Sequence, residues 1–327
     1  MSLVSNFGKA FGLLARTWPF IVIRFGVLLG AAVLSFVLFL VLIGGLLLLG
    51  VGNLLGLGLI LGFVLLIAFF GIFGLLKRYF LYIYDAGHVA VMAKMLKGED
   101  KDIPGTMKQL EYGKNTVIQR IGSLTILYAF EQIVRGIVYT INNVANFVIS
   151  FLPKSLREIL GFIMAIVNRA IFLIFDMTLS YLMFDPAKNA WMCAADTLVI
   201  YKKHFMKFLG LAAVLVLGGD ILSLLILVFG YVFQLVVVGA LVAVVGSGGG
   251  LLGVALTLIG FVLLFVMIGI FRECIVVPYS RALILCEFYE AYQDTKISKE
   301  DYGILNDIPQ FRELLEKAKT EKTTGKK

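Results

Sequence analysis

The stretch LGLILGFVLLIAFFGIFGLL, residues 57–76, decides the fold, because it is apolar on every face with no polar side chain. A helix rises about 1.5 Å per residue, so about 20 residues cross a hydrocarbon core of about 30 Å. A spanning β-strand would need only about ten residues and would alternate lipid-facing with lumen-facing side chains. No such alternation exists here, and the segment reads as a transmembrane helix. Outward from it, runs at 20–44, 121–141, 159–183, 208–233 and 251–271 have the same character, and with 54–76 they make six expected spans. The composition agrees: 60% of the 327 residues are hydrophobic, 15% are charged, and the mean hydropathy is +0.97. Soluble domains average about 45–50% apolar and about 25% charged residues. These values exclude a soluble globular enzyme and a disordered chain. Three cysteines are too few for a disulfide framework. The first apolar run is too long for a signal-peptide core and ends in no small-residue cleavage site, so it reads as an uncleaved span.

Basic residues set the orientation. The N-terminal segment, the 77–120 and 184–207 connections and the tail from Arg272 hold 25 of the 29 Lys and Arg residues, whereas the opposite loops hold only Lys154 and Arg157. This asymmetry places both termini in the cytoplasm of a multi-pass cell-membrane protein. The net charge of +8 is then a property of the cytoplasmic face, suited to anionic headgroups at about 1 kcal/mol per residue near the surface. Arg16, Arg24, Lys77, Arg78, Lys114, Arg120, Lys202, Lys203 and Lys207 are the expected headgroup contacts. No aromatic-basic nucleic-acid motif is present, so membrane lipids are the expected partners.

A weak internal repeat organises the chain. Spans one, three and five follow the basic approaches ARTWPFIVIRFGVLLG, YGKNTVIQRIGSLTIL and YKKHFMKFLGLAAVLVL, with Arg24, Arg120 and Lys207 in corresponding places and Gly26, Gly122 and Gly210 close behind. The even spans leave into short helix-like segments at 85–97, 186–201 and 278–293. The reading is an all-α, polytopic membrane helical bundle: three hairpins at 20–76, 121–183 and 208–271 with cytoplasmic interfacial amphipathic helices. Residues 1–19 form one such helix, with Leu3, Phe7, Phe11, Leu14 and Trp18 at helical spacing. A helix that docks a soluble partner is the alternative. Asp85 and the Asp185–Pro186 pair are candidate N-caps, and Gly98 a candidate left-handed stop. The transmembrane domain spans 20–293, followed by a charged tail at 294–327, where IPQFRELLEKAK suggests one short helix. The uncharged, glycine-rich connections GGLLLLGVGNLLGLG and VVGALVAVVGSGGGLLG read as tight outer turns or re-entrant elements.

Ionisable groups inside spans cost about 2.5–3.5 kcal/mol each at the bilayer centre and therefore prompt a functional question. Glu131 and Arg135 share a face of the third span, Arg169 and Asp176 share one on the fourth, and Asp220 lies in the fifth. At about 1.5 Å per residue, Glu131, Arg169 and Asp220 each lie about 15–18 Å from a helix end. The expectation is a midplane polar cluster of Glu131, Arg169 and Asp220, with Arg135 toward the outside and Asp176 toward the inside. Such a cluster would line a proton or ion path, or act as a buried zipper that fixes helix register. The amides of Asn142, Asn143 and Asn146 would line a vestibule or cap the outer end of the third span.

Catalytic patterns are missing from the sequence. His88 and His204 fit no zinc-binding arrangement, the cysteines lack metal-site spacing, and GSGGG at 246–250 has no following Gly-Lys-Ser/Thr. Neither a nucleophile elbow nor an intramembrane Ser–His or paired-Asp arrangement occurs. No enzyme activity, metal or cofactor is expected.

From Asp85 to about Leu217 the chain resembles an uncharacterised family of six-span prokaryotic integral membrane proteins. The likeness rests on AGHVAVMAKMLKGE, PGTMKQLEYGKNTVIQRIG, the mid-span Arg135, YLMFDPAKNAWMCAADTLVIYKKHF and the later aromatic segment SRALILCEFYEAY. Phe184–Asp185 stands where an aliphatic-Pro exit is the pattern, and the charges of the third span are extra. The resemblance implies an all-helical bundle without an established activity. The functional expectation is a non-enzymatic structural or assembly component of a membrane complex or homo-oligomer. A transporter or channel using the midplane charges is the alternative, with an intramembrane lipid-modifying enzyme third. Near-absence of proline from the spans argues against the broken helices of secondary transporters.

Overall fold

A computed structural model describes residues 3–51, 55–185, 187–245, 260 and 264–303. The regular elements are all helical, with no strand among the described residues. In chain order they are α1 (Leu3–Arg16), α2 (Trp18–Val51), α3 (Leu55–Leu96), α4 (Thr106–Gln119), α5 (Ile121–Ser150), α6 (Lys154–Phe184), α7 (Ala190–Lys203), α8 (Phe205–Val245), α9 (Val277–Asp294) and α10 (Lys299–Gly303). A 3-10 turn covers Asp100–Asp102, and a π-helical turn, Arg272–Val276, leads directly into α9. Several helices are long and apolar enough to cross a membrane; the qualifying stretches are Trp18–Ser35, Ile121–Ser150, Lys154–Phe184 and Phe205–Val237. The run expected at 251–271, the glycine-rich connection before it and the tail beyond 303 lie largely or wholly outside the described residues.

One pattern of elements occurs three times. A helix of 14 residues (α1, α4, α7) ends in a one-residue break at Thr17, Arg120 or His204, and a long helix (α2, α5, α8) follows at once. The first break has a local cause. Pro19 has no N–H and its ring clashes with the carbonyl four residues back, while the Thr17 hydroxyl donates to the Leu13 carbonyl at 2.8 Å.

Two expected breaks are absent. Asp85 caps nothing: α3 runs through it without interruption as a helix of 42 residues. At about 1.5 Å per residue α3 is roughly twice as long as a bilayer core is thick. The helix stops at Gly98, which has φ +74°. There Gly98 N–H donates to Met95 and Glu99 N–H to Lys94, the paired bonds of a Schellman end. Pro278 likewise begins no separate helix. The amide it lacks would have paired four residues back, with Cys274, inside the π-helical turn, whose wider ring accommodates the proline. Only the break at Asp185 occurs as expected, since a residue before proline disfavours the helical region. The cap of α7, however, is Asn189, whose side chain accepts from Met192 N–H at 2.8 Å.

Among the described residues, packing is concentrated at one end. Met92, Leu124, Leu173, Met177, Tyr181, Phe208, Leu283 and Phe288 are fully buried there, drawn from the last turns of α3, α6 and α9 and the first of α5 and α8. Tyr181, Phe184, Phe288 and Tyr292 form an aromatic knot, with ring centroids 5.1–6.0 Å apart. α1 packs lengthwise on α9, burying Ala10, Leu13 and Leu14 and stacking Phe7 on Tyr279; Val4, Phe11 and Trp18 remain as an exposed apolar stripe. α3 and α4 cross backbone to backbone at Gly87 and Gly113, where a Cβ on Gly113 would lie 2.9 Å from the Gly87 carbonyl oxygen. Away from this end the flanks of α5 and α8 are apolar and open, for example Phe147, Phe229 and Phe233.

Candidate functional site: a buried ionic network at the helix ends

The packed end encloses charge. Arg24 of α2, which the sequence suggested as a headgroup contact, is only 2% exposed and pairs with Asp85 of α3, 4% exposed. Arg24 also holds Glu273 of the π-helical turn at 2.9 Å. The second Asp85 oxygen pairs with Arg281 of α9, and Arg281 Nε reaches Asp176 of α6 at 3.6 Å. Asp176 also takes Arg169 at 3.5 Å. Three guanidiniums thus face three carboxylates across four helices, and the assembly is neutral. Burial disfavours the charge of Arg281, but the Asp85 and Asp176 carboxylates outweigh it and raise the guanidinium above its ordinary pKa.

His88 lies one turn beyond Asp85. Its ring stacks on Phe20 with centroids 4.7 Å apart, and Nε2 lies 2.7 Å from the Thr17 hydroxyl, tying α3 to the α1–α2 break. Burial, with Arg24 and then Arg281 adding to it, pushes the imidazole pKa down to about 3, so the ring is neutral at ordinary pH.

Two smaller clusters extend the network. Lys207 at the start of α8 binds Glu287 at 2.8 Å and Glu290 at 3.5 Å on α9. Asn6 and Lys9 of α1 reach the same pair at 3.0 and 3.2 Å. Burial opposes the charge of Glu290, yet hydrogen bonds from Asn6 and Lys9 hold its carboxyl below the usual range. Asp196 of α7 collects Tyr181 at 3.1 Å, Lys188 at 2.6 Å and Tyr302 of α10.

The three corresponding basic residues of the sequence repeat therefore share a behaviour that the sequence did not foretell. Arg24 reaches Asp85, Arg120 donates to the carbonyls of Leu182 and Asp185 at the end of α6, and Lys207 reaches Glu287. Each ties a long helix, or the break just before it, to another helix. All three engage groups of the protein itself. Arg16 pairs with Asp100 and Lys203 with Asp301, while Lys77, Arg78, Lys114 and Lys202 have no carboxylate partner among the described residues.

The expected midplane grouping is arranged differently. Glu131 bonds Arg135 on its own helix at 2.9 Å, and that guanidinium lies 4.4 Å over the Phe172 ring. Arg169 turns to Asp176 rather than to Glu131, and Asp220 is exposed on α8 with no ionic partner among the described residues. Sequence reasoning missed Arg281, Glu273, Glu287 and Asp196 as network members. A usable signal existed for Arg281 and Glu287, each flanked by apolar residues at helical spacing in SRALILCEF.

A cavity of about 610 Å³ between α3, α4, α5 and α6 is lined by Lys94, Lys97, Arg120 and Lys188. Its cations are engaged: Lys94 with Asp102, Lys188 with Asp196, and Lys97 and Arg120 with carbonyls of α6 and its cap. Among the described residues no group of His, Cys, Asp and Glu is placed to hold a metal ion. Cys193, Cys274 and Cys286 are free and buried, and burial pushes the Cys193 and Cys286 thiols up to about 12, away from reactivity. Comparison with protein-family profiles, curated proteins and solved structures found no match to this chain.

Proposed function

We propose that the chain is a six-span protein of the cell membrane, three hairpins with both termini cytoplasmic, that acts non-enzymatically as an assembly component of a membrane complex or homo-oligomer. The observation that carries this reading is the neutral network of Arg24, Asp85, Arg281, Asp176, Arg169 and Glu273, which joins four helices at one end. Paired charges centred on the buried Arg24 and Asp85 serve to fix helix register. A conduction path needs charged groups that are available to a passing ion, and here Glu131 and Arg169 both have partners. The open apolar flank of α8 supports association, because it presents Asp220 unpaired among hydrophobic residues such as Ile221 and Leu224. A carboxylate in hydrocarbon is costly unless a neighbour supplies a partner.

Cysteine cross-linking in native membranes tests the proposal. Single cysteines at Leu224 and Phe229, in a background without the three native thiols, should give a discrete cross-linked species that Asp220→Leu weakens. Monomer alone at both positions would overturn the assembly reading. A transport role would gain if proteoliposomes dissipated a proton or ion gradient and Arg169→Met abolished the flux without loss of folding.

A further inference from the structure

Apart from the ionic network, a crevice of about 460 Å³ opens between α2, the end of the apolar run of α3, and the π-helical turn before α9. Its walls are largely apolar, with Leu28, Val266 and Ile270 beside smaller residues. Ala31, Ala32 and Gly269 leave its space unfilled, and a Cβ placed on Gly269 meets nothing within 4 Å. The hydroxyl on the wall, Ser35, donates to its own helix, at 2.8 Å to the Ala31 carbonyl, so the depth of the crevice offers hydrocarbon contact rather than an unmet donor.

Two cations share this crevice, Lys77 and Arg272, and neither has a carboxylate partner among the described residues. The acid beside them, Glu273, is already held by Arg24 at 2.9 Å. The neutral network therefore leaves two positive charges at the crevice uncompensated. Arg272 also begins the π-helical turn, a distortion that recurs at functional positions in helices.

We propose that the crevice binds one anionic phospholipid, its phosphate against Lys77 and Arg272 and an acyl chain along Ala31, Ala32 and Gly269. Cations beside an apolar slot match a molecule that joins an anion to hydrocarbon. A zwitterionic lipid carries its own cation into the site and gains less. A free phosphate gains nothing from the walls. The inference rests on the membrane reading above and makes it more specific, giving a headgroup role to two particular residues.

The test uses full-length protein purified from membranes and placed in nanodiscs of dioleoylphosphatidylcholine with or without dioleoylphosphatidylglycerol, with retained lipid counted by native mass spectrometry. The wild type should retain one phosphatidylglycerol in preference to phosphatidylcholine. K77Q and R272Q should each weaken that preference about fivefold, and the double variant roughly thirtyfold, from about 1 kcal/mol per cation near a membrane surface. Gly269→Phe, placed where there is open space, should also lose the lipid while keeping both cations. Glycerophosphoglycerol, the headgroup without chains, should not displace the bound lipid. Equal retention of the two lipids, wild-type retention by the double variant or by Gly269→Phe, or displacement by the chain-free headgroup would each overturn the proposal. Carbonate washing separates the two levels of failure. Protein that washes off the membrane overturns the membrane reading along with this one, whereas protein that stays but shows no preference overturns the lipid site alone.

Discussion

Asp85→Asn tests whether the ionic network is a structural lock. The Asp85 carboxylate is 4% exposed, with Arg24 on one oxygen and Arg281 on the other. Removing its charge leaves three guanidiniums facing two carboxylates. Arg24 keeps Glu273 at 2.9 Å and Arg281 keeps Asp176 at 3.6 Å, and the amide oxygen still accepts one hydrogen bond. Breaking one side of a buried pair costs about 3–5 kcal/mol. The surviving contacts place this variant near the lower end, about 3 kcal/mol, more than a hundredfold in the folding equilibrium at 1.36 kcal/mol per decade. The assay is unfolding of purified protein in mixed micelles by increasing SDS, followed by circular dichroism. Replacing both partners, Asp85→Leu with Arg281→Met, should recover about 1 kcal/mol or more relative to Asp85→Leu alone, since contacting residues couple by about 0.5–3 kcal/mol. Asp85→Asn within about 0.5 kcal/mol of wild type, or a double variant that costs the plain sum of its singles, would refute the lock.

Three further outcomes follow from local geometry. Gly113→Ala should destabilise by about 1–3 kcal/mol, because its Cβ would sit 2.9 Å from the Gly87 carbonyl oxygen and 3.2 Å from Phe20 Cζ; Gly122→Ala, with nothing within 4 Å, should be near neutral in the same SDS titration. His88 is held neutral down to about pH 3 in the folded chain by burial beside Arg24 and Arg281, whereas an unfolded histidine takes a proton near pH 6.5. Its contribution is therefore complete above about pH 6.5 and is lost as the pH falls toward 3, so His88→Gln should show a shallower loss of thermal stability than wild type across that interval. Asn189→Ala should cost about 1 kcal/mol by removing the α7 cap, while Asp185→Ala, whose carboxylate accepts from Ala187 N–H at 3.1 Å and lies 3.9 Å from Lys188 without reaching an α7 amide, should leave the start of α7 unchanged by amide hydrogen exchange.

The helical class and the membrane-length segments were legible because they rest on a property summed over about 20 residues, which no single contact overrides. The stop at Gly98 was equally legible, since a left-handed C-terminal residue is a local backbone matter. The ion-pair partners were not. The sequence reading measured depth from expected span ends and paired residues at equal depth, which set Glu131 against Arg169. Yet α3 runs through Asp85 without a break and the π-helical turn continues directly into α9, so Asp85 and Arg281 sit inside helices rather than at caps. Once those two residues occupy helix interiors, their carboxylate and guanidinium lie among four helices, where burial makes pairing obligatory. Arg169 then finds Asp176 on its own helix, within reach of Arg281 as well.

The repeat illustrates the same distinction at a higher level. The sequence aligns Arg24, Arg120 and Lys207, but they stand seven, zero and three residues from the breaks at Thr17, Arg120 and His204. A strict residue-by-residue repeat would put each at the same offset with the same partner. Instead one meets a buried aspartate, one meets backbone carbonyls, and one meets two glutamates. What recurs is the physical requirement. A short helix turns into a long one at the packed end, and a cation near that turn must find negative charge or unpaired carbonyls. The end of α6 supplies Arg120 with its last carbonyls and the partial negative charge of the helix dipole, while Asp85 and Glu287 supply carboxylates from within α3 and α9. Three chemically different ties satisfying one geometric demand explain why the pattern is weak as sequence and plain as structure.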